Sequence, residues 1–448
     1  MEERHLRQPM EVGGAGQVFP PELSLFQVPP LSASYSCETY VDYRPVSGSL
    51  NAGSLEYVIP PSMTQMIDLA ASRHHLKLRI VKGDGSDVNV AEEVVGPINY
   101  IGATLFETVQ VYLNQALVTS SGGQHHGYRA IIEALLDTSR FEKSTILQAA
   151  LFYKDAHHHM SDLDKEDTGF TQRWQFTGTS RPCQLIAPLI TDLAQQERLI
   201  IPGVEIGLKW YVAKPAFTLM SATEGADYKW EIMDAFLRIK KKTPQPAVLL
   251  GINSALDLSP ALYPLMQTQV RQFLIHRGQY EFNFENLFEG LVPCVMTVGF
   301  VTAESSVGQY KLNPFEFLGA YLQEIRVSIE DKGCSEPPMK FHYDPNGTFA
   351  LSSFMDGYQS LFRPSGEDLD QQPSAYCDIT PEDYHGGYQL ITFRFASGAG
   401  QKFLPVIPRG NLKLSGSFSQ APTANLHLIV YCRFPTLLTI DKSRRISY

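Results

Sequence analysis

The order of strand and helix patterns in the first half of the chain is repeated in the second half. Six segments recur in the same order, and their first residues are Leu55 and Tyr280, Leu76 and Met296, Glu107 and Gln323, Tyr128 and Ser352, Ile201 and Ile407, and Trp230 and Leu426. The members of each pair lie 196 to 225 positions apart. A solenoid unit has only about 20–50 residues. Each copy is therefore long enough to close a β-sandwich of its own.

Most segments within each copy are typical of strands. The sequence LKLRIV from Leu76 alternates in polarity, as do residues 106–118, and residues 199–212 also have strand character. Residues 128–136 and 144–153 instead have apolar residues at helical spacing. About eight strands with long, helix-bearing insertions favour jelly rolls over immunoglobulin domains, whose strands follow one another at shorter spacing.

These patterns predict an all-β chain of two tandem eight-stranded jelly-roll sandwiches with short helices in the connecting loops. Residues 1–34 are rich in Gly, Pro and charge without a strand or helix period, which predicts a flexible N-terminal arm. The first jelly roll is predicted at 35–243, a proline-rich linker at 244–264, and the second jelly roll at 265–448.

Composition and charge argue against several classes of protein. The chain has 37 basic and 47 acidic residues, a formal net charge of −10, which does not favour binding to nucleic acid. Its six cysteines form no C-x-x-C pair, which argues against a zinc site or a disulfide scaffold and predicts reduced thiols inside a cell. No run of 18 apolar residues and no secretory signal occur, so we expect neither a transmembrane segment nor export by that route.

Clusters of histidine and aspartate suggest a metal site at first. The candidate residues are Asp155, His157, His158, His159, Asp162 and Asp164. Consecutive residues of an extended chain point to opposite sides and seldom converge on one ion, so we predict no metal site. The pairs at 74–75 and 125–126 are predicted to be surface or packing histidines. Residues 84–89 resemble a calcium loop that lacks its late glutamate, and we predict a turn there.

No catalytic signature emerges from the sequence. The motifs G-x-S-x-G, the P-loop and H-E-x-x-H are absent, although 47 acidic residues leave a glycosidase-type carboxylate pair open. Two short basic runs predict solvated surface, charge pairing between subunits or local contact with packaged nucleic acid; they comprise Arg238, Lys240, Lys241 and Lys242, and Lys442, Arg444 and Arg445. We therefore predict a structural protein, not an enzyme, with no catalytic residue, metal ligand or cofactor.

Five segments spread over almost the whole chain carry a resemblance to a known family. They are SLFQVPP from Ser24, GPINYIGATLFETVQVYLNQALV from Gly96, YRAIIEALL from Tyr128, LQAALFYKD from Leu147 and LIVYCRFPTLLTIDKSRRI from Leu428. The chain resembles the double jelly-roll, hexon-like major capsid proteins of Polinton/Maverick elements and adintoviruses. Family members often have Tyr-Pro just before the third segment, whereas residues 124–127 of this chain read QHHG.

The resemblance implies a role in a virus shell. Two jelly rolls would stand side by side in each chain, and a homotrimer would form a pseudo-hexameric capsomer that tiles an icosahedral capsid through lateral contacts. Implied partners are other copies, penton proteins and minor capsid proteins, with no sequence-specific binding of nucleic acid. The virion would be assembled inside the host cell, in the cytoplasm or the nucleus.

The resemblance also assigns roles to loops. Residues 120–179 and 332–387 would form the outer towers and the contacts between capsomers. The arm at 1–34, which contains apolar residues such as Phe19 and Phe26, would become ordered only against a neighbour or the inner surface of the shell.

Two alternative functions remain open from the sequence. The chain has the features expected of a minor capsid protein or a domesticated capsid-derived protein, because both would keep the fold. A carbohydrate-binding double β-sandwich would instead need an exposed, coplanar row of aromatic residues, for which Trp174, Trp210 and Trp230 are the candidates.

Overall fold

The computed structural model describes residues 34–447, apart from residues 47, 90–92, 120–122, 164–167, 224, 226, 289, 331–332, 335–336, 345–348, 350–351, 363–376 and 396–408. The predicted arm at 1–34 therefore lies outside the described residues except for Ser34. Asp164 of the metal hypothesis and the side chain of Cys334 also lie outside them.

The first half of the described chain forms a β-sandwich. Its strands are β1 (Tyr35–Tyr43), β2 (Ser54–Ile59), β3 (Met66–Lys82), β4 (Val95–Pro97), β5 (Phe106–Leu113), β6 (Ala116–Leu117), β7 (Cys183–Pro188), β8 (Ile206–Val212), β9 (Leu219–Ser221) and β10 (Tyr228–Pro244). One antiparallel sheet has the order β1-β10-β3-β7, the other has the order β2-β8-β5-β6, and β4 pairs with β9. Eight strands divided between two sheets in this way form a jelly roll.

The second half repeats this topology. Its strands are β11 (Ala261–Ile275), β12 (Glu281–Phe284), β13 (Val295–Thr302), β14 (Leu322–Ile329), β15 (Gly333–Cys334), β16 (Met339–Lys340), β17 (Leu390–Arg394), β18 (Leu412–Phe418), β19 (Leu426–Ile440) and β20 (Ile446–Ser447). The two sheets have the orders β11-β19-β13-β17 and β12-β18-β14-β15, and β16 and β20 pair with β14 and β19. Strand for strand, these orders match those of the first sandwich.

Short helices lie in the connections. They are α1 (Ile101–Thr104), α2 (His126–Asp137), α3 (Arg140–Ser144), α4 (Thr168–Thr177), α5 (Pro215–Thr218), α6 (Pro246–Leu258), α7 (Ala303–Val307), α8 (Met355–Ser360) and α9 (Pro381–His385), with 3-10 turns at Ile146–Ala150 and Gly178–Ser180. The predicted fold class, two tandem jelly rolls with helices in the loops, is confirmed. Among the described residues, none of these helices has the length and hydropathy that a membrane span requires.

The repeated sequence patterns fall on corresponding strands of the two sandwiches. The strand pairs are β2 and β12, β3 and β13, β5 and β14, β8 and β18, and β10 and β19. The helical pair falls on α2 and α8, which lie in the connections that lead to the corresponding strands β7 and β17. The repeat in the sequence therefore reflects a repeat in topology.

Alternation in the strands places one face of each sheet in the core. In β2, Leu55, Tyr57 and Ile59 are buried, whereas Glu56 and Val58 are exposed. Because successive side chains of a strand point to opposite faces, this pattern needs one apolar and one solvated face. The two sheets meet where the hydroxyl of Tyr57 and Nε2 of His74 lie 2.9 Å apart.

Residues 106–118 form two strands, not the single strand that their alternation predicts. Asn114 and Gln115 both have positive φ angles, 45° and 69°, and separate β5 from β6. Two consecutive left-handed residues make the two-residue turn of a tight hairpin. The Asn114 side chain stabilises the turn, because its Oδ1 accepts from the Glu205 N–H (2.8 Å).

Two other predicted elements are shorter than expected. Within residues 199–212 only β8 is a strand, because Pro202 and Gly203, which has a φ of 85°, interrupt the extended backbone. Within residues 144–153 the regular element is the 3-10 turn Ile146–Ala150.

The predicted linker at 244–264 contains regular structure. The helix α6 occupies most of it, β10 ends at Pro244, and β11 begins at Ala261. The division of the chain into a first jelly roll at 35–243 and a second at 265–448 stays a prediction.

Candidate functional site: the interface between the two sandwiches

Buried charges concentrate where the two sandwiches meet. We define the inter-sandwich interface by a set of residues that form bonds or ring contacts across it: Tyr128, Glu133, Asp137, Lys143, Lys154, Asp155, His158, Met160, Ser161, Asp192 and Phe217 of the first half with Thr268, Asn313, Phe315, Glu316, Asp378, Asp383, Gly386, Tyr388, Tyr431 and Arg433 of the second. Charged side chains are rarely buried unless they are paired. Their position here indicates that the contact is specific.

Arg129, on α2, lies at the centre of a buried polar network. Its guanidinium donates to Glu133 Oε1 (3.0 Å) and to Gln195 Oε1 (3.2 Å). It also forms an ion pair with Asp192 Oδ1 (2.7 Å). Asp192 in turn accepts from the backbone N–H of Thr268 in β11 (3.2 Å), which belongs to the second sandwich. The network therefore crosses the interface.

A second branch of the network reaches β19. The Tyr431 hydroxyl donates to Glu133 Oε1 (3.1 Å), and Arg433 Nε donates to the Tyr431 hydroxyl (2.7 Å). Arg433 also pairs with Asp137 at the end of α2. Helix α2 is thus bonded directly to β19 and, through Asp192, to β11.

The two carboxylates of this network stabilise the positive charge of Arg129. Burial alone would lower the pKa of Arg129, but the attraction of Asp192 and Glu133 outweighs burial and raises that pKa above its ordinary value. Arg129 is therefore a permanent cation between two carboxylates. Removing it would leave those carboxylates buried without their counter-charge.

An aromatic cluster forms the apolar part of the interface. The ring of Tyr128 on α2 makes edge-to-face contacts with Phe217 (5.9 Å between centroids) and with Phe315 (5.7 Å). Phe217 and Phe315 also meet edge to face at 5.9 Å. Since Phe315 belongs to the second sandwich and is almost fully buried, this three-ring contact closes across the interface.

Two asparagines at corresponding places hold one stretch of chain between the sandwiches. Asn99 precedes β5 and Asn313 precedes β14, and both are buried. Asn99 Oδ1 accepts from the Tyr153 N–H (2.9 Å). Asn313 Nδ2 donates to Asp155 Oδ2 (2.9 Å) and to the Met160 carbonyl (3.0 Å). Part of the long loop of the first sandwich is thus bonded to the second sandwich.

Asp155 is held from two further directions. Its carboxylate pairs with Arg173 of α4, whose side chain is fully buried. Arg173 also donates to the carbonyls of Pro97 (3.0 Å) and Tyr153 (2.8 Å). The hydroxyl of Tyr388, from the second sandwich, donates to the Asp155 carbonyl (2.9 Å). Asp155 is consequently a structural anion, not a free acid.

Lysines of the first sandwich reach aspartates of the second. Lys143 Nζ lies 2.7 Å from Asp378 Oδ1, and Lys154 Nζ lies 2.6 Å from Asp383 Oδ2. Lys154 also donates to the Asp378 carbonyl (2.8 Å). These bonds join the described parts of the two predicted tower loops, 120–179 and 332–387.

Asp383 makes this contact sensitive to acid. Burial would raise its pKa, but hydrogen bonds from Lys154 and the Thr380 N–H outweigh burial and lower the pKa below its ordinary 3.8. A carboxylate with a lowered pKa stabilises the folded state above its ordinary pKa and loses that contribution as the pH falls through its folded value.

We expect Asp383→Asn to lower the free energy of unfolding at pH 7, and this deficit to shrink as the pH falls from about 5 to about 3. Urea unfolding of both proteins at several pH values measures the difference. Asp356→Asn, at the exposed start of α8, controls for the loss of one negative charge. A deficit that stays constant down to pH 3 would contradict the prediction.

The histidine and aspartate candidates do not converge on one point. His157 Nδ1 lies 3.3 Å from Asp383 Oδ1, and His159 Nδ1 lies 2.7 Å from Asp162 Oδ2. The ring of His158 meets His385 at 5.4 Å between centroids. In the described parts of the chain, no group of three or more His, Cys, Asp or Glu side chains is arranged to hold a metal ion.

The other histidines singled out in the sequence have structural positions. His74 packs edge to face on Trp210 in the core, with 4.0 Å between centroids, and burial holds its pKa well below the ordinary value. His75 stacks on Phe236 at 4.5 Å. His126 is buried at the start of α2, and burial lowers its pKa to about 3. These rings are therefore uncharged packing residues, in line with the prediction.

Residues 84–89 form the predicted turn, closed by the bond from the Lys82 N–H to the Ser86 carbonyl (3.0 Å).

Three of the four residues of the first basic run form ion pairs with acidic residues of the same chain. Its ion pairs are Arg238 with Asp42 (2.8 Å), Lys240 with Glu38 (2.8 Å) and Lys242 with Asp68 (3.1 Å). In the second run, Lys442 pairs with Asp257, and Arg444 donates to the Pro202 carbonyl (2.7 Å). These four ion pairs reduce the positive charge that the two runs present to a polyanion.

The tryptophans do not form a row on the surface. Trp210 and Trp230 are buried, and Trp174 is half-buried against the core. The Trp230 Nε1–H donates to the Thr218 hydroxyl (2.8 Å), so its polar atom is used internally. The carbohydrate-binding alternative therefore loses the aromatic platform on which it depended.

One feature of the sequence indicates the interface, although the strand and helix patterns alone do not reveal it. Arg129 and Glu133 stand four residues apart inside the otherwise apolar segment YRAIIEALL. That spacing brings the two side chains together on one helix face. An ion pair embedded in an apolar helix signals a buried contact, but its partners in β11 and β19 are far away in sequence.

Comparisons with known proteins agree with this fold. No protein-family model matches the chain. An uncharacterized protein of Caenorhabditis elegans is 21% identical over 403 residues, which cover 88% of this chain and 92% of that protein.

Three solved structures illustrate the likeness in three dimensions. A chain of the Sputnik virophage structure has a TM-score of 0.61 at 11% identity, covering 98% of this chain and 93% of that one. The Faustovirus major capsid protein has a TM-score of 0.58 at 9% identity, covering 93% and 92%. The mavirus major capsid protein has a TM-score of 0.51 at 10% identity, covering 98% and 96%. Together with the strand orders, these matches identify a double jelly-roll fold.

Proposed function

We propose that this chain is a major capsid protein, a structural subunit whose function lies in self-association. The observation that carries the proposal is the pair of topologically equivalent jelly rolls fixed to one another by buried hydrogen bonds and partly buried ion pairs. A shell subunit needs this rigidity, because an angle that varied between the sandwiches would spoil every lateral contact with its neighbours. The likeness to solved capsid proteins over nearly the full length supports the same function.

The finer assembly follows from the internal repeat. One chain presents two similar sandwiches, so three chains arranged around a threefold axis present six. Such a homotrimer has a nearly hexagonal outline and tiles icosahedral facets with repeated contacts. We propose this pseudo-hexameric capsomer as the assembly unit, with penton and minor capsid proteins as further partners.

We further propose that the chain comes from the Polinton/Maverick and adintovirus group, on the strength of the five sequence segments quoted above. Its place would be the virion capsid, after assembly in the cytoplasm or the nucleus of the host cell. In this role it would need no cofactor, metal or catalytic residue. The net charge of −10 would leave condensation of the genome to a basic partner.

Light scattering of the purified full-length protein tests the proposal. A chain of 50.1 kDa is expected to form particles of about 150 kDa, three times that mass, with a hexagonal outline in negative stain. Shells that close at higher protein concentration would extend the result from capsomer to capsid. A protein that stays at 50.1 kDa at the highest accessible concentration would contradict self-assembly.

A further inference from the structure

The helix α6, between the two sandwiches, has an unusual combination of sequence and exposure. Its sequence PAVLLGINSALDL has a single charged residue, Asp257, which pairs with Lys442. Helices that are apolar all round are normally buried. In α6, however, only Leu256 is buried.

The exposed side of α6 forms an apolar stripe. Leu250 and Leu258 are 68% and 90% exposed, and Val248 is 37% exposed. Leu250 and Leu258 are eight residues apart and lie about 80° apart around the helix, whereas Val248 is about 80° beyond Leu258, so the three mark the two edges and the middle of one broad face. An exposed apolar face of this kind marks a place where another segment binds.

The N-terminal segment leaves the first sandwich beside this helix. The carbonyl of Ser34 accepts a hydrogen bond from the N–H of Gln245 (3.1 Å), the residue directly before α6. The next residue, Tyr35, is paired with Pro244 in the β1–β10 ladder. Ser34, the first described residue, is therefore bonded to the residue directly before α6.

The tethered segment has the chemistry and the length to cover the stripe. Residues 17–33 read QVFPPELSLFQVPPLSA, in which apolar residues predominate and Glu22 is the only charge. A 13-residue helix is about 20 Å long. Eight extended residues span about 26 Å, so residues 26–33 alone reach from one end of α6 to the other.

We propose that residues 19–31 dock on the stripe of Val248, Leu250 and Leu258 in the same chain. The tether raises the local concentration of this segment at α6 far above that of a segment from another molecule. The stripe has no charge that would attract a polyanion or a charged peptide. This inference goes beyond the proposed capsid role. Its test uses the full-length chain and gives a result whether or not the chain forms capsomers.

Photo-crosslinking tests the contact in the full-length protein. Leu250 is replaced by p-benzoylphenylalanine, the sample is irradiated, and denaturing gels and mass spectrometry identify the products. We expect crosslinks from position 250 to residues 19–31 within the monomer band. The same probe at Phe141, which is 71% exposed on α3, is the matched control and is expected to give no crosslink to residues 19–31.

Other outcomes would overturn the proposal. Crosslinks found in a dimer band would assign the stripe to a second copy, and the absence of any crosslink from position 250 would leave the stripe uncovered. Flotation of the full-length chain with phosphatidylcholine/phosphatidylglycerol vesicles, if abolished by Leu250→Ser and Leu258→Ser together, would assign the stripe to a lipid surface.

Hydrogen exchange gives an independent readout. In the full-length chain, Leu25→Ser combined with Phe26→Ser is expected to speed exchange of the α6 amides by about tenfold, because the lost apolar burial weakens the docked state. Val12→Ser, in the same N-terminal region but outside the docking segment, is expected to leave exchange in α6 unchanged. Equal exchange in all three proteins would contradict docking.

Discussion

Replacing Arg129 by methionine is expected to lower the free energy of unfolding by about 3–5 kcal/mol. Methionine fills a similar volume but has no charge, so Glu133 and Asp192 would remain buried without their cation. Glu133 would still accept hydrogen bonds from Tyr431 and Gln195, and Asp192 from the Thr268 N–H, but neither carboxylate would have a counter-charge. Because those bonds cross to the second sandwich, the variant is also expected to loosen the inter-sandwich interface.

Urea unfolding measures the effect of Arg129→Met, since urea, unlike guanidinium chloride, does not screen ion pairs. Arg326→Met is the matched control, because Arg326 pairs with Glu324 on an exposed strand surface. The control is expected to change the free energy of unfolding by no more than about 0.5 kcal/mol. An Arg129→Met variant as stable as the control would show that the network does not hold the sandwiches together.

Truncating Phe315 to alanine is expected to cost about 3–5 kcal/mol. The ring is almost fully buried and closes the aromatic cluster with Tyr128 and Phe217, so its removal leaves a cavity between the sandwiches. Tyr128 and Phe217 belong to the first sandwich, whereas Phe315 belongs to the second, so these rings can fill the cavity only if the sandwiches shift. We therefore expect limited proteolysis of the long loops to become faster in this variant.

Phe141→Ala provides the comparison for Phe315→Ala, since Phe141 is a phenylalanine of the same chain with a largely exposed ring. It is expected to change the free energy of unfolding by less than about 0.5 kcal/mol. Equal stability of the two variants, measured by urea unfolding, would mean that the aromatic cluster does not contribute to the interface.

Combining Phe315→Ala with Arg129→Met in a double-mutant cycle separates the apolar and polar parts of the interface. Phe315 packs on Tyr128, the neighbour of Arg129 on α2. A coupling of about 0.5–3 kcal/mol would indicate that both parts act through the position of this helix.

The tandem jelly rolls were predictable because strand signals are local. In β5 the alternation of Val109, Val111 and Leu113 with polar neighbours is visible in the sequence and is the pattern of burial in the structure. The helix at 128–136 was likewise visible from its apolar spacing and is α2. The hairpin at Asn114 and Gln115 was missed, because alternation continues across a two-residue turn without a break in polarity.

The sequence by itself determined the two sandwiches, because period-2 alternation and its repetition about 210 residues later require only neighbouring residues and their order. Tertiary structure alone decided which charges meet. Tyr431 bonds to Glu133 across 298 positions, and Lys154 to Asp383 across 229. Such contacts depend on how two complete sandwiches pack, since a side chain signals its own polarity but not its distant partner. Tertiary structure also decided that the apolar helix α6 stays exposed, because burial depends on what surrounds a helix and not on its sequence alone.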